Sequence, residues 1–437
     1  MPYTWLFRAS SALTDRFPQT GAQILDTVVN ASAGNALLQA RELARAQATL
    51  STVRRFRRLL VVADLNIGDA VMLQSVVAAL RDFLPDAEID YAVSQLARDL
   101  VDGRDTTTLF PVFRGTGVPG ARDAEAVRTL TDVRGYDVVF NLCPFFTDDA
   151  IAPAGTPVVR WTGLATMLMR ALRQPAAVAH VTAQVHAYIH MLFEPLMAPV
   201  RDRPFTGVSV TLSPRASAEA AAFVDTLDAD GRPIVLMNPD ASSRFTRLPH
   251  ETQAELLRGL LRLPCVVVLG AGHTQPGIEG RLIGALPPRR RKDVRVLPAS
   301  TSIDTYAAVV DAADVFLTGD TGPLHIAAAR KQARLGTNGF RNRTAVVSVF
   351  GATPARLYGY ASNRRGFLPA NQQAPSYAHS GDSPCRNLTC INKTVKTCST
   401  VRCFHQLDVR AVLADVAHIV TRAQSTVPVP ITLPEHR

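Results

Sequence analysis

The sequence has 437 residues, 47% hydrophobic and 6% aromatic, which fits an Ala-, Val- and Leu-rich α/β protein of about two to three domains. It contains no apolar run of about 18 residues and no secretory signal pattern, which excludes a spanning helix and predicts a cytoplasmic protein. The net charge of +10 is compatible with a solvated basic surface, or with binding to an anionic membrane, an acidic substrate or nucleic acid. No helix-turn-helix or RNA-binding motif supports nucleic-acid binding.

Residues 1–57 are predicted to form an N-terminal helical extension. Residues 36–58 are rich in Ala, Leu, Arg and Gln, which favour helix. The basic end of this helix, RRFRR at 54–58, suits a membrane surface. Packing against the following domain is the simpler expectation.

Apolar strands and amphipathic helices then alternate in two blocks of the sequence. The first block has predicted strands at 59–63, 88–93 and 137–142, and helices at 71–83 and from 97. The second block has predicted strands at 234–238, 265–270, 315–318 and 346–351, and helices at 250–263, 305–312 and from 321. This alternation is typical of doubly wound parallel sheets.

Two α/β domains follow from this pattern. We expect the first over residues 58–205, with a less regular part that contains a helix through 185–196, and the second over residues 206–423. Residues 360–384 are polar and carry Gly and Pro, so they are predicted to form a long loop. Residues 424–437 are predicted to be a flexible tail.

The stretch DTGPLH at 320–325 lies between a predicted strand and a predicted helix. A parallel sheet presents its ligand site at such a turn, and the helix start offers free N–H groups and the positive end of a dipole. The turn suits a phosphate or diphosphate with a sugar attached. The simpler interpretation is a helix cap formed by Asp320 or Thr321.

A second glycine–acidic turn follows the first predicted strand. Gly68 permits backbone conformations that a side chain forbids, and Asp69 stands at a helix start, preceded by Asn66. A carboxylate at this edge can accept a proton from a substrate hydroxyl, although aspartate at a helix start also serves as a cap.

Together the two turns predict a mechanism. Asp69 would deprotonate an acceptor hydroxyl, and the turn formed by Asp320, Thr321 and Gly322 would hold a nucleotide diphosphate-sugar. The departing diphosphate needs fixed donors, which the helix start and nearby arginines supply. Arg244 and Arg247, on the loop after the strand 234–238, are the candidates, with surface charge as the alternative.

These motifs carry a resemblance. The segment LVVADLNIGDAV at 60–71 is similar to the opening strand and S-x-G-D turn of glycosyltransferase family 9, the ADP-heptose:lipopolysaccharide heptosyltransferases. DTGPLHIAA at 320–328 resembles the D-T-G-x-x-H-x-x-A signature of that family. FGATP at 350–354 and the loop 238–249 resemble its F-G-x-T-x-P and N-P-G-A…K-R-W-P segments.

The resemblance implies a GT-B architecture, in which two Rossmann-like doubly wound domains face a central cleft, and an inverting sugar transfer that needs no metal. It implies that Asp69 is the base and that Asp320, Thr321, Gly322 and His325 bind the donor. The sequence departs from the family where the loop lysine aligns with Thr246, in the residues before Gly68, and at 331–343, which looks inserted.

Four late cysteines, Cys385, Cys390, Cys398 and Cys403, follow the spacing C-x4-C-x7-C-x4-C. Two C-x4-C pairs can surround one tetrahedral thiolate site for a structural zinc or iron ion. Free or redox-labile thiols and disulfides are the alternatives. No Walker, zinc-protease or nucleophile-elbow motif occurs in the sequence.

The sequence therefore predicts a cytoplasmic inverting glycosyltransferase that requires no cofactor for catalysis. We expect a heptose or related sugar to move from a nucleotide diphosphate-sugar, ADP-heptose by resemblance, to a glycan or glycolipid such as lipopolysaccharide core, with peripheral contact with the anionic inner membrane. The alternatives are a non-catalytic nucleotide-sugar-binding protein of the same fold and a metal-stapled basic nucleic-acid-binding protein.

Overall fold

Two parallel β-sheets form the framework of the protein. The computed structural model describes residues 32–63, 66–101, 106–113, 120–143, 146–160, 180–200, 208–243, 245–333, 344–353, 355–360, 376–380 and 402–425. The elements of the first half are α1 (Ser32–Ser51), β1 (Arg58–Val62), α2 (Ile67–Met72), α3 (Gln74–Phe83), β2 (Glu88–Ser94), β3 (Thr108–Phe113), α4 (Ala121–Arg134), β4 (Val138–Asn141), α5 (Asp148–Ile151), β5 (Val158–Arg160) and α6 (Val181–Phe193).

The second half continues the strand–helix alternation. Its elements are α7 (Pro214–Asp225), β6 (Ile234–Asn238), α8 (His250–Leu260), β7 (Val266–Gly270), α9 (Ile278–Gly284), a 3-10 helix (Pro288–Asp293), β8 (Val294–Leu297), α10 (Ile303–Ala312), β9 (Val315–Gly319), α11 (Gly322–Ala333), β10 (Ala345–Phe350), α12 (Ala355–Tyr358), β11 (Ser376–Ser380), a 3-10 helix (Arg402–Phe404) and α13 (Val409–Ser425).

Both sheets have the doubly wound strand order. The first is β3-β2-β1-β4-β5 and the second is β11-β10-β9-β6-β7-β8, and the paired strands are parallel throughout. Counted from β6, the second order is that of a dinucleotide-binding sheet. The predicted α/β class with two Rossmann-like domains is confirmed. The predicted boundary near residue 205 falls outside the described residues and stays a prediction.

Helices cover both faces of each sheet, so the side chains on both sides of each strand are buried. In β1, Leu59 and Val61 enter one apolar core while Leu60 and Val62 enter the core on the opposite face. The second sheet is built in the same way, since Val235 of β6 packs on one side and Leu236 on the other. This explains why these strands are continuous apolar runs in the sequence.

The N-terminal helix packs on the first domain, but it is shorter than predicted. α1 ends at Ser51, and Leu50 is buried in the core of the first domain. Residues 57 and 58 do not continue the helix, because the N–H groups of Arg57 and Arg58 both donate to the carboxylate of Asp137, at 2.7 and 2.8 Å. These bonds align the start of β1 with its neighbour.

Three further local predictions were wrong in detail. The helix predicted over 71–83 is two helices, α2 and α3, which meet at Leu73. Residues 97–101 form turns closed by Leu100 N–H to Ala97 C=O at 3.0 Å, a stretch too short to propagate a helix. Residues 376–380, predicted as loop, form β11 because β10 offers them a full ladder of backbone hydrogen bonds.

An apolar cluster joins the two halves of the molecule. Val71 of α2 and Leu100 pack with Ala307, Ile326 and Ala329 of the second half. Their contact brings the carboxyl edge of β1 against the carboxyl edge of β9. Within the described ranges, no helix combines the length and apolarity needed to cross a bilayer.

Candidate active site

The candidate site lies where the strand order of each sheet reverses. β6 and β9 are neighbours in the second sheet although they are far apart in sequence, and β1 and β4 are neighbours in the first. The helices that follow two such strands leave on opposite faces of the sheet, which opens a crevice at the carboxyl ends. Both predicted turns, at 66–69 and 320–325, stand at these positions.

Asp69 lies in the first turn of α2. Asn66 is the N-cap residue, and its amide Nδ2 donates to Oδ2 of Asp69 at 3.0 Å. The Asp69 side chain is half-buried, so the carboxylate is held by a neighbour while part of it remains accessible. Tyr91 of β2 lies behind it, and burial together with the Asp69 charge raises the pKa of the Tyr91 phenol. Asp69 is thus a carboxyl group that Asn66 holds at the carboxyl edge of the first sheet.

The second turn precedes α11, which begins at Gly322. Asp320, Thr321 and Gly322 are half-buried, whereas His325 is buried. Burial lowers the pKa of His325 to about 3, so its imidazole is neutral at physiological pH. Nε2 of His325 lies 3.8 Å from Oδ1 of Asp320, which is too long for a hydrogen bond and, with a neutral ring, is not an ion pair.

The two turns touch each other. A Cβ atom added at Gly68 would lie 2.6 Å from Cδ2 of His325 and 3.3 Å from Cα of Gly322. A Cβ atom added at Gly322 would lie 3.3 Å from Cβ of Ile67. Only residues without side chains allow the starts of α2 and α11 to approach this closely. The chain therefore brings Ile67 and Gly68, which directly precede Asp69, against the 320–325 turn.

Asn238 organises the second turn from the end of β6. Its amide Nδ2 donates to the hydroxyl of Thr318 at 3.1 Å and to the backbone oxygen of Asp240 at 3.1 Å, and it lies 3.4 Å from the hydroxyl of Thr321. The Thr318 and Thr321 hydroxyl oxygens are 3.0 Å apart. Asn238 and Thr318 were not predicted as site residues. Their position as the last polar residues of strands that flank the reversal was the available signal.

The loop 239–248 is fixed by its own hydrogen bonds. The Asp240 carboxylate accepts from the N–H of Thr274 at 2.7 Å and from its hydroxyl at 2.5 Å. Arg247 turns into this network, donating to the backbone oxygen of Ala241, with Nε 3.5 Å from Asp240. Burial lowers the pKa of the Arg247 guanidinium, against the opposing effect of the Asp240 charge. The proposed contact between Arg247 and a diphosphate stays a prediction, and Arg244 lies outside the described residues.

Thr246 closes the same loop over the end of β9. A Cβ atom added at Gly319 would lie 2.8 Å from the backbone oxygen of Thr246. The Thr246 side chain is buried and donates its hydroxyl to the backbone oxygen of Ser243 at 3.2 Å. The resemblance aligns Thr246 with a loop lysine, and here the position holds a buried, short polar residue.

Tyr360 and His180 extend the site from two distant parts of the chain. The Tyr360 hydroxyl lies 3.1 Å from Nδ1 of His325, and the His180 ring packs on Tyr360 at 4.5 Å. Burial and the Asp320 charge raise the pKa of Tyr360, so the phenol is protonated. Neither residue was predicted, because no local pattern links them to the 320–325 turn.

Of the four late cysteines, only Cys403 belongs to the described part of the chain. It is buried in the core of the second domain. Cys385, Cys390 and Cys398 lie outside the described residues, so the expected zinc or iron site stays a prediction.

The arrangement combines a carboxylate, uncharged hydrogen-bond donors and a helix start around one crevice. The α11 start offers backbone N–H groups and the positive end of a helix dipole, which stabilise an anionic group. Asp69 follows Gly68 at the contact between the two turns, and a carboxylate is a group that can deprotonate a hydroxyl. Such an arrangement suits attack by a hydroxyl on a group that leaves as an anion.

Comparisons with known proteins find related sequences and a similar fold. The family model described as glycosyltransferase family 9 (heptosyltransferase) matches residues 134–396. Lipopolysaccharide heptosyltransferase 2 of Salmonella typhimurium and that of Escherichia coli are each 23% identical to the chain over 278 residues, covering 62% of this chain and 80% of the relative. The crystal structure of a family 9 glycosyltransferase from Veillonella parvula superimposes with a TM-score of 0.59 and 15% identity, over 84% of this chain and 98% of that one.

Proposed function

The chain belongs to glycosyltransferase family 9 and is a glycosyltransferase of GT-B architecture, and we propose that it transfers a heptose from a nucleotide diphosphate-heptose to a glycan or glycolipid acceptor. ADP-heptose is the proposed donor and lipopolysaccharide core the proposed acceptor, in line with the lipopolysaccharide heptosyltransferases that it resembles. The single observation that carries the proposal is the contact between the Gly68–Asp69 turn and the 320–325 turn.

Asp69 is the proposed general base. Its carboxylate takes the proton of the acceptor hydroxyl while the hydroxyl oxygen attacks the anomeric carbon of the donor. A new C–O bond forms, the bond from the anomeric carbon to the diphosphate oxygen breaks, and its electron pair leaves with the nucleoside diphosphate. The attack comes from the face opposite the leaving group, so the configuration inverts. The bond between Asn66 and Asp69 supports this role, because it fixes the carboxylate before substrate binds.

The α11 start is the proposed site for the diphosphate. Charge that develops on the leaving oxygen is stabilised by preorganised N–H donors and by the Thr321 hydroxyl, which Asn238 and Thr318 hold in place. Since His325 is neutral, it contributes no positive charge. Its proposed role is to support the donor-binding turn by packing against Gly68. Arg247 and Arg244 are proposed to supply positive charge to the diphosphate.

The proposed base acts on the acceptor and the proposed 320–325 turn binds the donor, so variants of the two can be tested for separate effects on transfer and on donor binding. Asp69→Asn keeps the size of the side chain but removes the base, so transfer from ADP-heptose should fall by about 10²- to 10⁴-fold. Its affinity for ADP should remain unchanged in calorimetric titration. Asp320→Ala is the matched donor-side variant and should weaken ADP-heptose binding.

Two results would count against this assignment. Wild-type turnover in Asp69→Asn would remove Asp69 as the base. Equal donor affinity in Asp320→Ala and wild type would remove the 320–325 turn as the donor site. Thermal shift with a panel of nucleotide sugars tests the donor itself: stabilisation by another nucleotide sugar but not by ADP-heptose would contradict the proposed substrate.

We further propose that catalysis requires no cofactor and that the protein acts at the cytoplasmic face of the inner membrane. The net charge of +10 supports attraction to an anionic surface that carries a lipid-linked acceptor. Co-sedimentation with vesicles of anionic phospholipid, compared with neutral vesicles, tests this contact.

A further inference from the structure

Three potential metal ligands converge in the first domain, away from the candidate active site. Asp82 lies near the end of α3, and His186 and His190 lie one turn apart on α6. Oδ2 of Asp82 is 3.5 Å from Nε2 of His186 and 3.5 Å from Nε2 of His190. One ligand atom from each residue falls within 4.8 Å of both others.

These separations match the edges of a zinc coordination sphere. Zinc binds imidazole nitrogen and carboxylate oxygen at about 2.0–2.2 Å in tetrahedral geometry, which places neighbouring ligand atoms roughly 3.3–3.5 Å apart. A direct hydrogen bond between a carboxylate and an imidazole is shorter, about 2.7–2.9 Å. The distances from Asp82 to the two rings therefore fit the separations between the ligands of a shared cation.

The orientation of the rings agrees with this interpretation. His186 and His190 are stacked with centroids 4.7 Å apart and planes inclined by 28°, so that both rings present the same edge to Asp82. Nε2 of His190 is buried and makes no hydrogen bond within the described residues. Nδ1 of His190 lies 3.4 Å from Oε1 of Glu194. A carboxylate at the other nitrogen is the usual partner that orients a metal-bound histidine.

The burial and chemistry of the three side chains also suit a cation. The Asp82 side chain is 3% exposed, and those of His186 and His190 are 12% and 20% exposed. Each imidazole can offer a ring-nitrogen lone pair to a metal, and a carboxylate oxygen is also a zinc ligand. A divalent ion would use all three ligands.

We propose that Asp82, His186 and His190 bind one zinc ion, with water at the fourth position. The ion would hold α6 against α3 in addition to the apolar contacts of Phe83 and Phe193. The amino end of the same helix is capped by His180, which packs on Tyr360 in the candidate active site. Zinc would thus stabilise one end of α6, while the other end of this helix contacts the donor side of the candidate active site.

Metal content of the full chain tests the proposal. The protein is stripped with a chelator, reloaded with Zn²⁺, desalted and analysed by mass spectrometry of the metal. Wild type should retain about one equivalent more zinc per chain than His186→Ala/His190→Ala. Zinc bound by the late cysteines cancels in this difference, because both proteins retain them. His418→Ala, an exposed histidine on α13, is the matched control and should retain as much zinc as wild type.

Two other measurements guard against a variant that misfolds. Added Zn²⁺ should raise the melting temperature of stripped wild type and of His418→Ala, while Mg²⁺ should not. X-ray absorption at the zinc edge of wild type alone should show a nitrogen and oxygen shell with imidazole scattering. Equal zinc content in wild type and a folded double variant, or a zinc spectrum with only sulfur neighbours, would overturn the proposal.

Discussion

Gly68→Ala tests the contact between the two turns. The added Cβ atom would lie 2.6 Å from Cδ2 of His325 and 3.3 Å from the backbone Cα of Gly322. Carbon atoms in contact are normally about 3.5–4.0 Å apart, so roughly 1 Å of overlap must be relieved. The His325 ring cannot rotate away freely, because it is buried and its Nδ1 lies 3.1 Å from the Tyr360 hydroxyl. We therefore expect α2 and α11 to separate.

The magnitude follows from this overlap. Overpacking of this kind costs about 1–3 kcal/mol of the free energy of unfolding. A shift of about 1 Å between Asp69 and the bound donor should lower kcat/KM for transfer about 100-fold, because the reacting atoms lose their alignment. Urea unfolding measures the first effect, and initial rates with ADP-heptose measure the second.

Gly280→Ala is the matched control. Gly280 lies inside helix α9, and an added Cβ atom has no neighbour within 4 Å. This variant should gain up to about 1 kcal/mol from helix propensity and keep its activity. If Gly68→Ala were as stable and as active as Gly280→Ala, the close contact between the two domains would not exist in solution.

Three further perturbations address the support of the site. Burial lowers the pKa of His325 from 6.5 to about 3. Below pH 6.5 the unfolded chain therefore binds a proton that the folded chain does not. The free energy of unfolding is thus highest above pH 6.5 and decreases as the pH falls. Between pH 7 and pH 5, wild type should lose about 2 kcal/mol more than His325→Gln in urea unfolding; equal losses would contradict a buried neutral imidazole. Asn238→Ala removes the amide that holds two threonine hydroxyls and should weaken ADP binding in calorimetry by about 1–3 kcal/mol. Unchanged affinity would show that this hydrogen-bond network does not contribute to donor binding. Arg330→Ala removes the guanidinium that donates to Asp311 at 3.1 Å and should destabilise the chain by about 3 kcal/mol, whereas a change below 0.5 kcal/mol in the same assay would show that the pair is not structural.

The strands were predictable from sequence because burial on both faces demands uninterrupted apolar runs. β1, β6 and β9 each read as such a run, and polar residues mark where each strand reaches the crevice. The limits of the helices were less predictable. The predicted helix over 36–58 cannot reach residues 57 and 58, because their N–H groups donate to Asp137, a partner that the local pattern does not reveal.

The candidate site shows the same division. Asp69 and Asp320 could be identified because each sits in a short motif at a strand end. Tyr360 could not, because it reaches His325 only through a contact between residues 35 positions apart. The triad of Asp82, His186 and His190 joins two helices separated by about a hundred residues. The spacing of the two histidines is a local signal, but nothing local to either helix indicates that Asp82 meets them.

The sequence by itself determined the α/β class, the two turns and the family, because periodicity and short motifs are local properties of the chain. Tertiary structure decided which groups meet: Gly68 against Gly322, Tyr360 against His325, and Arg247 against Asp240. The first contact depends on how two separately wound sheets pack together, and the other two depend on how loops fold within the second domain. Packing between surfaces that are distant in sequence leaves no periodic signal along the chain, and for that reason only the folded molecule reveals it.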